Sequence, residues 1–168
     1  SLGGRPDMYG PFWAATTLIF VIASLSNFTS WLTFADQSGT EWMYDMSLLS
    51  VACSFVYGFA FGVAAVVWLV GRSLGLPLGV VQMLCLYGYS TVVFIPVALL
   101  CSTKLEVLDW IAVAVGLGIS ASFVLQNLWG PSAAIAGQAR HALLGFVGLG
   151  HLCFALGLKL YFFDKATE

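Results

Sequence analysis

Charge is what this chain has least of. Its 168 residues hold six Lys and Arg and eight Asp and Glu, 8% in all, where a soluble domain carries about 25%. That scarcity excludes an ordinary soluble globular domain. Six scattered basic residues and a net charge of −2 also leave no basic face of the kind that holds nucleic acid. Cysteine is sparse as well. Cys53, Cys85, Cys101 and Cys153 all fall inside or at the ends of apolar stretches and read as small packing residues, with no disulfide framework. No zinc-binding His-Glu-x-x-His and no Gly-rich phosphate loop occurs, and no nucleophile motif is read. No catalytic, cofactor-binding or metal-ligating residue is therefore assigned.

What fills the space is apolar. Hydrophobic residues make up 60% of the chain and the mean hydropathy is +0.95. The uncharged runs cover residues 8–35, 46–71, 73–103 and 110–139. A shorter run, 141–158, continues in apolar character through Lys159 to Phe163, with the lysine expected to snorkel. A hydrocarbon core of about 30 Å takes roughly 20 helical residues, so each run is long enough to cross once and none crosses twice. The continuous runs lack the alternation of a β-barrel. The expected fold is an all-α integral membrane protein, one bundle of five transmembrane helices. After a lead-in over 1–10, the spans cover about 11–32, 46–70, 80–101, 110–128 and 142–163. Ser1 stands where a Met would open a chain, so the sequence reads as a fragment or processed product. No charged leader with a cleavage site precedes span one, and no signal peptide is read.

Span three, Val80 to Cys101, organises the rest. Pro96 has no N–H for the Val92 carbonyl and its ring crowds it, which predicts a kink. Neighbouring helices or the hydroxyls of Ser90 and Thr91 must then satisfy the freed backbone. Such a helix belongs in the middle of the bundle. Tyr87 and Tyr89 differ by about 200° around it and face different neighbours. Each hydroxyl needs a partner, and Gln126 and Asn127 of span four are candidates.

Small residues recur where helices must meet without help from apolar burial. Gly58 and Gly62 mark span two. Ala112, Gly116 and Ser120 form one ridge of span four, and Ala114, Gly118 and Ser122 the next. Gly148 lies among the glycines of span five. Gly58, Gly62, Gly116, Gly118, Ser120 and Gly148 are the helix-contact candidates. No Asp or Glu is expected inside a span, which leaves a proton relay without its acid. His151, near the middle of span five, reads as a hydrogen-bonded packing residue, with a proton carrier or metal ligand as the alternative. His141 is not at chelating distance in sequence. The sequon at Asn27 lies within the end of span one and is expected to remain unmodified. Five crossings put the termini on opposite sides. Arg5 before span one and the acid-only loop of Asp36, Glu41 and Asp45 after it place the N-terminus in the cytosol.

Three stretches carry a resemblance. Arg5-Pro6-Asp7-Met8-Tyr9-Gly10-Pro11-Phe12-Trp13 resembles the Asp-Leu-Tyr-Gly-Pro signature opening the membrane domain of the Ypt-interacting protein (Yip-domain) family, with Met8 in place of the commoner Leu. Tyr87-Gly88-Tyr89-Ser90, followed by Phe94-Ile95-Pro96, is similar to that family's second signature. Lys159-Leu160-Tyr161-Phe162-Phe163 resembles the end of the last span in a Golgi-resident branch. The resemblance implies a five-span protein of the Golgi and early secretory pathway, with a cytosolic N-terminus and lumenal C-terminus. It implies a non-enzymatic trafficking factor that sits in membrane lipid, pairs with a related Yip-domain membrane protein, and associates with prenylated Rab-type GTPases. The family's cytosolic N-terminal region, linked to partner binding, is absent from this sequence. Asp7, Tyr9, Gly10 and Pro11 would fix the entry to span one, and Tyr87, Gly88, Tyr89 and Pro96 would shape the bundle centre. The alternative is a small transporter, channel or lipid-handling protein with a cavity beside Tyr87 and His151.

Overall fold

The computed structural model describes residues 7–35, 43–103 and 105–163. Readings that rest on Arg5, Pro6, Asp36, Glu41, Lys104 and Lys165 lie outside them. Five helices are long and apolar enough to cross a membrane: α1 (Tyr9–Ala35), α2 (Ser47–Ser73), α3 (Val80–Cys101), α4 (Glu106–Trp129) and α5 (Gly137–Phe162). No strand occurs among the described residues. In lipid every backbone amide must find its partner inside the segment, and the helix does this without an edge. A short 3₁₀ turn, Pro131–Ala134, joins α4 to α5. The helices α1, α3 and α5 begin at one end of the bundle, here the entry end; α2 and α4 begin at the far end.

Local chemistry sets the boundaries. The Tyr9 amide donates to Asp7 Oδ1 at 3.0 Å, so α1 starts two residues before Pro11, which sits within the first turn where its missing N–H costs nothing. The end of α2 runs three residues past Val70 and closes in a Schellman motif. Gly75 takes a φ of +94°, Leu76 N donates to Gly71 O at 2.8 Å, and Gly75 N donates to Arg72 O at 3.1 Å. The start of α5 lies five residues before Ala142. Its early turn is held by Arg140, whose Nε donates to Ser132 Oγ at 3.1 Å and whose Nη2 donates to Trp129 O at 3.0 Å. Two irregularities have no sequence signal. Gly58–Val63 in α2 is π-helical, and so is Leu158–Phe163, which carries α5 one residue past Phe162.

The helix α4 corrects the sequence reading. It starts at Glu106, not Trp110, and takes Asp109 into its first turn as a buried residue. A carboxylate there faces the positive end of the helix. It also meets a cation: Lys159 Nζ lies 3.8 Å from Asp109 Oδ2 and 5.6 Å from the Trp110 ring centroid. Lys159 is therefore not snorkelling; it is buried, drawn inward by the acid. A carboxylate does sit inside a span, paired across α4 and α5.

At the bundle centre α3 packs against α1, α2 and α4, and α5 closes against α4 and α2. It is the most buried of the five and α2 the least. The break in α3 falls at Thr91–Val93, one turn before Pro96. The amides of Thr91, Val92, Phe94 and Ile95 each bond three residues back, so the Val92 carbonyl that Pro96 cannot serve receives Ile95 N at 3.1 Å. Hydroxyls cover the loosened turn. Ser90 Oγ donates to Tyr87 O and Thr91 Oγ1 to Gly88 O, both at 2.7 Å, and Ser120 Oγ of α4 donates to Ser90 O at 2.9 Å.

Candidate functional site

Two stretches far apart in sequence lock together near the entry end. Gly88 on α3 lies against Pro11 on α1: a Cβ on Gly88 would stand 2.5 Å from Pro11 Cβ and 3.1 Å from its Cα. The notch is reciprocated, since a Cβ on Gly10 would collide with the Tyr89 hydroxyl. Cys85 Sγ completes the contact, donating to Asp7 O at 3.5 Å. Each glycine admits a bulky group from the other stretch, so α1 and α3 approach closely. Asp7, Gly10, Pro11, Gly88 and Tyr89 thus come together in one interface. Tyr9, at 69% exposure, points away and packs edge-on against Trp13.

Tyr87 turns the opposite way from Tyr89. It has no exposed surface and its ring lies 5.3 Å from that of His151 on α5. Phe59, placed by the π-turn of α2, covers both at 5.4 and 5.0 Å, meeting the imidazole edge-on. Phe154 stacks on Phe59 at 4.1 Å and meets Phe94 at 5.2 Å. His151 Nδ1 bonds to Val147 O at 2.9 Å. Gln126 and Asn127 do not serve Tyr87: both are exposed on the outer face of α4, and Asn127 Nδ2 donates back to Phe123 O. Among the described residues both side chains are fully enclosed, with no open path to Tyr87 or His151. A cleft of about 330 Å³ between α2 and α5 is lined by Phe59 and Phe154, and by neither Tyr87 nor His151.

The small-residue candidates divide. Gly116 and Ser120 lie within the bundle, Gly116 so close to α3 that a Cβ would reach Val97 Cγ2 at 2.8 Å. Around Gly58, Gly62, Gly118 and Gly148 a Cβ would meet no other helix within 4 Å among the described residues. At the entry end, Arg72 lies 5.7 Å from the Trp68 ring centroid and Arg140 4.3 Å from that of Trp129. At the far end Asn27 is buried and its amide holds the backbone of Asp45, accepting from Asp45 N at 2.9 Å. That side chain is engaged rather than offered to solvent.

No group of three or more His, Cys, Asp or Glu converges among the described residues. Gly71-Arg72-Ser73-Leu74-Gly75 does fit Gly-x-Ser-x-Gly by letter, which the sequence reading passed over. It closes a helix instead of joining a strand to one, and Ser73 Oγ donates to Val70 O at 2.7 Å, so it is no nucleophile elbow.

The family model of the Yip1 domain matches residues 2–158. The chain is 32% identical over 164 residues to "Protein YIPF1 homolog" of Dictyostelium discoideum, covering 98% of this chain and 47% of that protein. It is 34% identical over 170 residues to "Protein YIP5" of Schizosaccharomyces pombe, covering 95% of this chain and 67% of that one. No solved structure matches it. The chain thus spans about half the length of the Dictyostelium relative, and the part it spans is the five-helix bundle whose α1 and α3 interlock at Gly10 and Gly88. The chain belongs to the Yip1 domain family.

Proposed function

We propose that this bundle is a non-enzymatic membrane trafficking scaffold of the Golgi and early secretory pathway, pairing laterally with a related Yip-domain protein. One observation carries the lateral pairing. The helix α2 is the least buried of the five, and a Cβ on its Gly58 or Gly62 would meet no other helix among the described residues. Glycines four apart let a foreign helix approach the backbone, which is how helices associate where lipid is as apolar as leucine. Family membership supports the trafficking role. Rab-type GTPases are the cytosolic partners this reading implies, engaged by the whole protein rather than by this bundle alone.

The orientation follows from charge. Basic residues divide evenly between the two sides, Arg5, Arg72 and Arg140 against Lys104, Lys159 and Lys165, so the first span decides: Arg5 precedes it and the loop after it, with Asp36, Glu41 and Asp45, holds no basic residue. The entry end then faces the cytosol and the C-terminus the lumen. Affinity capture from Golgi membranes in mild detergent tests the pairing. A related five-span protein should co-purify with the wild type and be lost from Gly58→Leu/Gly62→Leu with thermal stability kept. Recovery of the wild type as a bare monomer would contradict it.

A further inference from the structure

Tyr87 Oη and His151 Nε2 are both buried, and neither has a hydrogen-bond partner among the described residues. Their rings are neighbours, with centroids 5.3 Å apart. Their capacities match. A carbonyl only accepts, so His151 Nδ1 carries the proton it gives to Val147 O, which leaves Nε2 of the neutral ring as an acceptor. The tyrosine hydroxyl can donate or accept. Neither ring is free to swing across: the imidazole is held by that bond and by its perpendicular contact with Phe59, and the phenol packs against both Phe59 and His151.

The surrounding bonds show where the pair belongs. Ser120 Oγ of α4 donates to Ser90 O of α3, and Ser90 Oγ donates to Tyr87 O. On the other side, His151 binds Val147 within α5. A polar thread thus runs from α4 through the bend of α3 and breaks between Tyr87 and His151, one step short of α5. Buried polar atoms in native proteins are satisfied, by protein or by ordered water, and a buried water needs at least two polar partners.

We propose that Tyr87 and His151 form a binding site for one water molecule, which donates to His151 Nε2 and accepts from or donates to Tyr87 Oη. The water joins α5 to the loosened turn of α3, so the bend at Thr91–Val93 and the rotation of α5 are set together. Phe59, with Phe154 stacked on it, walls the site on one side.

Solid-state NMR of the full chain in lipid bilayers, with ¹⁵N-labelled histidine in a His141→Gln background, tests this. The His151 Nε2 signal should show a hydrogen-bonded acceptor and receive magnetisation from a long-lived water proton. That transfer should be lost in Tyr87→Phe. A free Nε2 signal in the unmutated site would overturn the proposal, as would an Nε2 coupled to the Tyr87 hydroxyl with no water proton. The first measurement needs no change at Tyr87, so it decides even where Tyr87→Phe fails to fold.

Discussion

Gly88 and Pro11 touch backbone to ring across 77 residues of chain, with no room between them for one methyl group. The contact ranks two substitutions that look alike in sequence. Gly88→Ala drives a Cβ into the Cα of Pro11, which cannot move without dragging the start of α1. Overpacking of that kind costs about 1–3 kcal/mol. Gly10→Ala meets the far end of Tyr89, a half-exposed side chain that can rotate away. Thermal unfolding in detergent should show a clear fall for Gly88→Ala and a smaller one for Gly10→Ala; equal losses would contradict the interlock.

The ion pair of Asp109 and Lys159 is almost wholly buried. Removing one partner strands the other charge, an effect of about 3–5 kcal/mol for buried pairs, whereas replacing both with apolar groups of similar volume is often neutral. Lys159→Met and Asp109→Leu should each destabilise strongly, and the double variant should recover most of the loss. Additive losses in that cycle would show that the two charges act separately.

Ser120 bonds α4 to the bend of α3. Ser120→Ala should lower stability by about 1 kcal/mol, within the range for polar contacts between membrane helices. It should also speed hydrogen exchange of the amides around Thr91. Gly118→Ala, on the open side of the same helix, should leave both unchanged.

Asp45 gives the pH dependence. Its carboxylate is held below the ordinary value of 3.8, first by the Ser47 hydroxyl and then by the Ser47 amide, which donates to Asp45 Oδ1 at 2.8 Å. The folded value is the lower one, so the stabilisation is fully present above 3.8 and fades as pH falls through the folded value. Amide exchange at Ser47 and Leu48, referenced to the intrinsic rates, should accelerate below that point. Asp45→Asn should abolish the step.

Much of this was legible from residues alone. The five runs between charges gave the helices, because only an apolar stretch of that length survives in lipid. Pro96 announced the break in α3, and Ser90 and Thr91 announced its remedy, although Val92 turned out to be served by the Ile95 amide. The misreadings share a cause. Asp109 and Lys159 were placed at membrane edges because a lone charge belongs there, and no single-helix argument reveals that two such charges meet. Nor does a residue pattern show the π-turn that sets Phe59 over His151, or which face of α4 turns Gln126 and Asn127 outward. Those are properties of helices packed against each other.

The central claim is five crossings, with the two ends of the chain on opposite faces of the membrane. Glycosylation acceptor tags fused in turn to the N-terminus and the C-terminus test it most directly. Only the C-terminal tag should be modified. Modification of both tags, or of neither, would mean an even number of crossings and would contradict it.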